Sequence, residues 1–156
     1  MLQVIKAKPN PAGKDRVPRL LTTQSRLGAE WIDIKNIGSV GHSLKNIQIY
    51  HVAYINGKAE WKLLKDFNSA LLIPALPSGI IMRIHSGNGP LSALLPEDVQ
   101  GASRHYFTGK NYVWNNDKID RPMIYDSNSK NIIDQTYYDS FPEDGRILER
   151  HNDKLI

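Results

Sequence analysis

Short runs in which apolar and polar residues alternate make up most of the chain, and turns rich in proline and glycine separate them. In residues 29–36, Ile32 and Ile34 fall on one face of an extended chain, whereas Asp33 and Lys35 fall on the other. Alternation with this period is typical of a β-strand that packs one face against a core. We therefore expect the two isoleucines to be buried and Asp33 to face solvent.

Asn56 and Gly57 form the strongest turn signal in the sequence, because this dipeptide suits the positive φ angles of a type I′ hairpin. A two-residue turn sets the register of the strands on either side. The predicted cross-strand pairs, which share one aromatic-rich face, are Tyr54 with Ala59, Val52 with Trp61, and Tyr50 with Leu63. This face is the one predicted for the core. The other face is predicted to be mixed, with Lys58, Glu60 and Lys62, and with Glu60 in solvent.

Further short strands are predicted along the rest of the chain, at residues 3–7, 69–73, 80–85, 112–114, 123–125 and 132–138. Pro96 begins a predicted helical turn. Residues 143–156 are charged with scattered apolar positions, so we expect a short final strand or a tail there. Many short strands with almost no helical periodicity predict an all-β sandwich or barrel. No linker interrupts the chain, so residues 1–142 and this C-terminal segment are predicted to form one domain.

The composition is that of an ordinary globular domain, with 156 residues of which 40% are hydrophobic and 23% are charged. Cysteine is absent, which excludes disulfides and thiolate metal sites. No apolar run is as long as a membrane span, and the first residues lack the apolar stretch of a signal peptide. A complete chain of this kind is expected in the cytoplasm, whereas a trimmed chain could come from a secreted or cell-surface protein.

The net charge of +4 is concentrated in residues 1–28, where Asp15 is the only acidic side chain. Basic clusters of this kind can bind nucleic acid or another polyanion. The candidate polyanion-binding residues are Lys14, Arg16, Arg19 and Arg26. A solvated arm without a ligand is the alternative interpretation. Residues 14–28 contain no aromatic side chain that could stack on bases, which argues against nucleic acid.

Several motifs occur in an order that resembles the lamin tail domain family, and they extend through most of the chain. They are Asn10-Pro11-Ala12-Gly13-Lys14-Asp15, the strand from Glu30 to Asn36, Ser43-Leu44-Lys45-Asn46-Ile47, Leu76-Pro77-Ser78-Gly79, Val113-Trp114-Asn115-Asn116 and Tyr137-Tyr138. The positions that define these motifs are Asn10, Gly13, Asn36, Trp114, Asn115 and Asn116. The usual Gly-Trp after Leu44 is missing, and residues 16–28 form a longer segment than in the family. Loop-borne functions of the family therefore do not transfer to this chain.

The resemblance implies an immunoglobulin-like β-sandwich of about nine strands, with at most one short helical turn. It also implies a non-catalytic binding or scaffolding module of the bacterial, standalone type, without a cofactor. Domains of this family are associated with protein partners and, in lamins, with chromatin or DNA. A protein partner is therefore expected and nucleic acid is possible. Trp114 is interpreted as a core or rim aromatic, and the asparagines as residues that close strand-end turns.

Catalytic chemistry has little support in the sequence. The chain has no Gly-x-Ser-x-Gly elbow, no phosphate-binding glycine-rich loop and no His-Glu-x-x-His motif, and its histidines lack ligand spacing. Neither an enzyme nor a metal site is predicted. The alternative is a hydrolase or carbohydrate-binding domain whose loops at 86–90 and 104–116 bring together His85, His105, Asn115 and Asp117. Assembly through an exposed sheet edge is a third possibility, and the oligomeric state stays open.

Overall fold

A computed structural model describes residues 1–11, 24–68 and 73–156, which fold into two packed β-sheets. The strands are β1 (Leu2–Lys8), β2 (Trp31–Asn36), β3 (Ile47–Ile55), β4 (Lys58–Asp66), β5 (Ile81–His85), β6 (Arg104–Phe107), β7 (Met123–Asp126), β8 (Asn131–Gln135), β9 (Leu148–His151) and β10 (Lys154–Leu155). The short helices are α1 (Gln24–Gly28) and α2 (Pro96–Val99), with a 3-10 turn at Leu91–Ala93. The predicted all-β sandwich is confirmed.

One sheet has six strands in the order β10-β9-β1-β2-β5-β6, and the other has four in the order β4-β3-β7-β8. Neighbouring strands are antiparallel except for β5 and β6, which are parallel. The C-terminal strand β9 pairs with β1, so the charged final segment joins the six-stranded sheet. The predicted short final strand is therefore present, and β10 follows it.

The hydrophobic core lies between the two sheets and draws residues from both. Ile32 and Ile34 of β2 are fully buried in it, as their alternation with polar residues predicts. Ile49 of β3 and Ile124 of β7 meet them from the four-stranded sheet, and Trp114 is buried in the same cluster. Inward-facing apolar residues on both sheets are what holds such a sandwich together.

Some predicted elements differ from the structure. Arg104–Phe107 form β6 where a loop is predicted, because this parallel edge strand is half-buried throughout and shows no alternation. Residues 112–114 form no strand. The prediction of at most one helical turn is wrong, since α1 and α2 are both present, although α2 does begin at the predicted Pro96. Most of the strand predicted at 69–73 lies outside the described residues.

Asp33 does not face solvent, contrary to prediction. Its side chain is 2% exposed and accepts two hydrogen bonds from the Arg83 guanidinium, at 2.7 Å and 2.8 Å. Arg83 also donates to the main-chain oxygens of Asp98 and Gln100. The crossover between β5 and β6 thus covers this face of the six-stranded sheet, which a pattern of local alternation does not reveal.

Asp98 of α2 ties the crossover to β1 and β2. Its Oδ1 accepts hydrogen bonds from Lys8 Nζ at 2.5 Å and from Trp31 Nε1 at 3.0 Å. The Arg83 guanidinium lies 3.5 Å from the centre of the Trp31 ring. The Asp98 carboxylate and the Lys8 ammonium are both buried, so each stabilises the charge of the other in a place that water does not reach.

We expect Asp98→Ala to lower the free energy of unfolding by about 3–5 kcal/mol, because it leaves the Lys8 ammonium buried without its acceptor. Glu97→Ala is the matched control, since Glu97 is exposed one residue earlier in the same helix. That control should stay within about 0.5 kcal/mol of the wild type. Urea unfolding followed by circular dichroism measures both, and equal effects would contradict the role given to Asp98.

Candidate binding face

The hairpin of β3 and β4 has the predicted register but the opposite orientation. Tyr54 pairs with Ala59, Val52 with Trp61, and Tyr50 with Leu63, which confirms the register set by the Asn56-Gly57 turn. However, the residues of this hairpin that join the core cluster are Ile47, Ile49 and Leu64, whereas Val52 is buried outside that cluster. The prediction that the aromatic-rich face covers the core is therefore wrong.

The reason lies in the neighbouring strand. Ile49 is paired with the buried Ile124 of β7, so this position of β3 must face the core. Successive side chains of a strand alternate, and Tyr50 and Tyr54 consequently point away from the core. Both faces of β3 carry apolar residues, and only the partner strand decides which of them is buried.

The outward-facing side chains form one continuous surface on the four-stranded sheet, here called the outer face. It includes Tyr50, Val52, Tyr54, Trp61, Tyr125 and Ile132, which their cross-strand pairs bring together, and of these Val52 is only 7% exposed. Trp61 is 45% exposed and Ile132 is 55% exposed. The Tyr50 and Tyr125 rings meet edge to face, with centroids 6.1 Å apart. Exposed aromatic and aliphatic side chains in one patch are typical of an interaction surface.

A groove crosses the hairpin end of the outer face. It is lined by Val52, Tyr54, Ala59, Glu60, Trp61, Ile119 and Arg121. The Tyr54 hydroxyl donates to the main-chain oxygen of Ile119 at 3.0 Å, and Lys118 Nζ lies 4.6 Å from the Tyr54 ring centre. The segment around Ile119 is therefore fastened to β3 and gives the groove a cationic rim.

Asp120 holds that rim in place. Its fully buried carboxylate accepts hydrogen bonds from the main-chain N–H groups of Val52, Asn115 and Arg121, at 2.9, 2.9 and 2.7 Å. His51 Nδ1 lies 3.0 Å from Asp120 Oδ2, and the Tyr138 hydroxyl donates to the same oxygen at 3.4 Å. A buried carboxylate is stable only with such partners. The loop before β7 is thus pinned to β3.

Glu30 fastens the start of the same loop to the other sheet. It lies just before β2, and its carboxyl group accepts from Val113 N at 2.8 Å, from Trp114 N at 3.2 Å and from the Ser86 hydroxyl. Burial raises the pKa of Glu30 to about 8, although these three hydrogen bonds act in the opposite direction. This carboxyl group replaces the strand pairing that was predicted at residues 112–114.

The four asparagines singled out from the sequence lie in different settings, since Asn36 ends β2 whereas Asn10, Asn115 and Asn116 lie in loops. Asn36 Oδ1 accepts from Gly38 N, and its amide donates to the oxygens of Val40 and Leu76. The remaining contacts join Asn10 Nδ2 to Pro142 O and Asp144 Oδ1, Asn115 Nδ2 to Val52 O, and Phe141 N to Asn116 O. These side chains and main-chain groups close turns of the fold, and Trp114 is buried, whereas Gly13 lies outside the described residues.

The structure places only one of the four candidate polyanion-binding residues. Arg26 lies in α1 and is exposed. Lys14, Arg16 and Arg19 lie outside the described residues, so their arrangement around Arg26 stays a prediction. The cationic side chains that the structure does bring together, at the rim of the outer face, were not singled out from the sequence.

Two of the four polar residues of the predicted alternative site, His85 and His105, lie in contact with each other. His85 is fully buried, with Nδ1 2.5 Å from Gly28 O and Nε2 2.9 Å from His105 Nδ1. Burial lowers the pKa of His85 to about 4. Asn115 is instead bonded to β3, and Asp117 is exposed. Within the described parts of the chain, no hydrogen bond or ring contact joins the two histidines to Asn115 or Asp117.

No protein-family model matches this sequence, and no curated protein matches it either. In the described ranges, no helix is long and apolar enough to cross a membrane. The geometry of the chain itself, above all the outer face and its pinned rim, is therefore the basis on which a function must be inferred.

We expect the stability that Glu30 contributes to be lost as the pH rises from 4.5 to about 8. The folded state keeps the proton of this carboxyl group over that range, whereas the unfolded chain releases it, so raising the pH across this range favours unfolding. Glu30→Gln should remove this part of the pH dependence, and Glu60→Gln on the exposed hairpin is the control. Urea unfolding at several pH values compares them; an unchanged slope in Glu30→Gln would contradict this role.

Proposed function

We propose that this chain is a non-catalytic binding module of the lamin-tail type, which recognises a protein partner through the outer face of the four-stranded sheet. The observation that carries the proposal is Trp61, 45% exposed beside Val52 and Tyr54 in a groove with a cationic rim. Tryptophan is one of the side chains enriched among the residues that dominate protein–protein affinity.

The rigidity of the outer face supports this role. Tyr54 is held by Ile119, and the loop that contains Ile119 is held by the buried carboxylates of Asp120 and Glu30. A surface that is already ordered before binding loses less conformational entropy when a partner docks. The outer face is therefore suited to recognition without rearrangement.

The use of the buried polar groups also supports a non-catalytic module. Glu30 and Asp120 accept hydrogen bonds from main-chain N–H groups, and His85 is stacked within 5.1 Å of Phe107 and bonded to Gly28. These are the contacts of groups that stabilise the fold. General acids and bases instead need access to a substrate atom.

The lamin-tail assignment draws support from two features of the fold. The described residues form an all-β sandwich, and Asn36 closes the end of β2 by accepting a hydrogen bond from Gly38 N. The same sequence resemblance is the basis for proposing an immunoglobulin-like fold and an association with protein partners. Fold alone does not specify the ligand, so the outer face supplies the location of the proposed site.

We expect Trp61→Ala combined with Ile132→Ser to weaken binding of a copurifying protein partner about tenfold or more, because these are the two most exposed large apolar side chains of the outer face. Val40→Ser is the matched control, since Val40 is an exposed apolar residue on the loop after β2. Biolayer interferometry with the recovered partner measures the affinities. Equal affinities for the double variant and the wild type would refute the assignment of the site.

Nucleic acid is the alternative partner class, because the net positive charge is concentrated in residues 1–28. We expect any retention on nucleic acid to fall steeply between low and moderate salt, as phosphate contacts release counterions. Replacement of Lys14, Arg16, Arg19 and Arg26 by alanine should abolish that retention, while Trp61→Ala leaves it intact. Filter binding measures this, and no retention at low salt would exclude the basic segment as a nucleic-acid site.

A further inference from the structure

Strand β4 is an edge of the four-stranded sheet, and part of its outer side is unpaired. The pair Ile55–Lys58 flanks the turn and is hydrogen-bonded, as in other two-residue hairpins, and such pairs alternate with non-bonded ones. The main-chain groups of Ala59, Trp61 and Leu63 therefore point away from β3. Leu63 O confirms this direction, because it accepts a hydrogen bond from Lys110 Nζ at 2.5 Å.

The stretch around Trp61 is open to solvent. Residues 58–62 are all exposed, and among the described residues no backbone group beyond β3 pairs with Ala59 or Trp61. Unpaired N–H and C=O groups in a row form a template for another strand. Leu63 O retains a second lone pair, so its bond to Lys110 does not exclude such a strand.

We propose that a second copy of this chain pairs with this edge, antiparallel and with Trp61 of one copy opposite Trp61 of the other. Ala59 of each copy then faces Leu63 of the other through hydrogen-bonded pairs. The same register sets Glu60 of each copy opposite Lys62 of the other. The two-fold axis repeats this contact, so both charged pairs are attractive.

The charge sequence of β4 excludes the neighbouring register. A shift that centres the pairing on Glu60 sets Glu60 opposite Glu60 and Lys58 opposite Lys62, so that every charged pair is repulsive. A shift that centres it on Ala59 brings the turn residue Gly57, with φ of 78°, opposite Trp61. A residue in that conformation does not continue a strand, and most of the backbone pairing is lost.

The proposed pairing joins the two outer faces. Trp61 lies on the outer face of each copy, and cross-strand pairs share one side of a sheet, so the two tryptophans become neighbours. The result is one continuous sheet with a doubled aromatic surface. This inference deepens the proposed function and rests on it for the role of that surface, whereas the pairing itself is tested on the purified chain alone.

Sedimentation velocity over the micromolar to near-millimolar range tests the pairing. We expect the wild type to show a concentration-dependent dimer. Glu60→Lys and Lys62→Glu, each alone, place like charges opposite one another and should weaken the dimer about tenfold. Lys58→Glu is the matched control, because it changes the net charge as Lys62→Glu does but alters no charged pair in this register.

A mixture of the two weakened variants gives the sharpest result. Glu60→Lys presents two lysines and Lys62→Glu presents two glutamates, so a mixed dimer has only attractive pairs and should form more tightly than either variant alone. The double variant with both exchanges should dimerise like the wild type. A wild type that is monomeric throughout, no gain on mixing, or equal losses in Lys58→Glu and Lys62→Glu would each overturn the inference.

The failure of this inference is distinguishable from failure of the proposed function. If Lys62→Glu is monomeric and binds the protein partner as the wild type does, dimerisation is confirmed as a separate property of β4, because Lys62 does not line the groove. If the wild type is monomeric while Trp61→Ala with Ile132→Ser loses the partner, the pairing is wrong and the binding role stands.

Discussion

The carboxylate of Asp120 is removed from water, and the arrangement of the outer face depends on how that charge is satisfied. Main-chain N–H groups of β3 and of its own loop donate to it, among them those of Val52 and Arg121. An uncompensated carboxylate at this depth would be costly enough to unfold a domain of this size. These hydrogen bonds therefore fix the position of the loop. The loop in turn sets the positions of Tyr54, Ile119 and the cationic side chains at the rim.

Glu30 meets the other end of the same loop from the six-stranded sheet. Its contacts with Val113 and Trp114 bring that loop across the end of the sandwich, where the Trp114 indole packs into the core and meets His51 edge to face. The two carboxyl groups thus link the sheets through one segment of irregular backbone. Polar groups that are fully satisfied in this way favour a single arrangement over its alternatives.

Local sequence signals predicted the register of the hairpin but not its orientation. The turn at Asn56-Gly57 is a property of adjacent residues, whereas the burial of Ile49 depends on Ile124, which is distant in the sequence. Asp33 shows the same limit, because a distant crossover covers it. The aromatic residues of the candidate site were therefore recognised in the sequence but assigned to the core, and the carboxylates that position its rim gave no local signal at all.

The edge of β4 illustrates how a strand can be protected from indiscriminate strand pairing and still be specific for one partner. Lysine on an exposed edge discourages indiscriminate strand pairing, and Lys58 and Lys62 supply this protection. Glu60 lies between these two lysines. Its negative charge makes pairing with a second copy of β4 attractive, but only in the register that places Glu60 of one copy opposite Lys62 of the other. Because the side chains of Ala59, Trp61 and Leu63 lie on the outer face, that same offset would also decide how the aromatic surfaces of two copies meet.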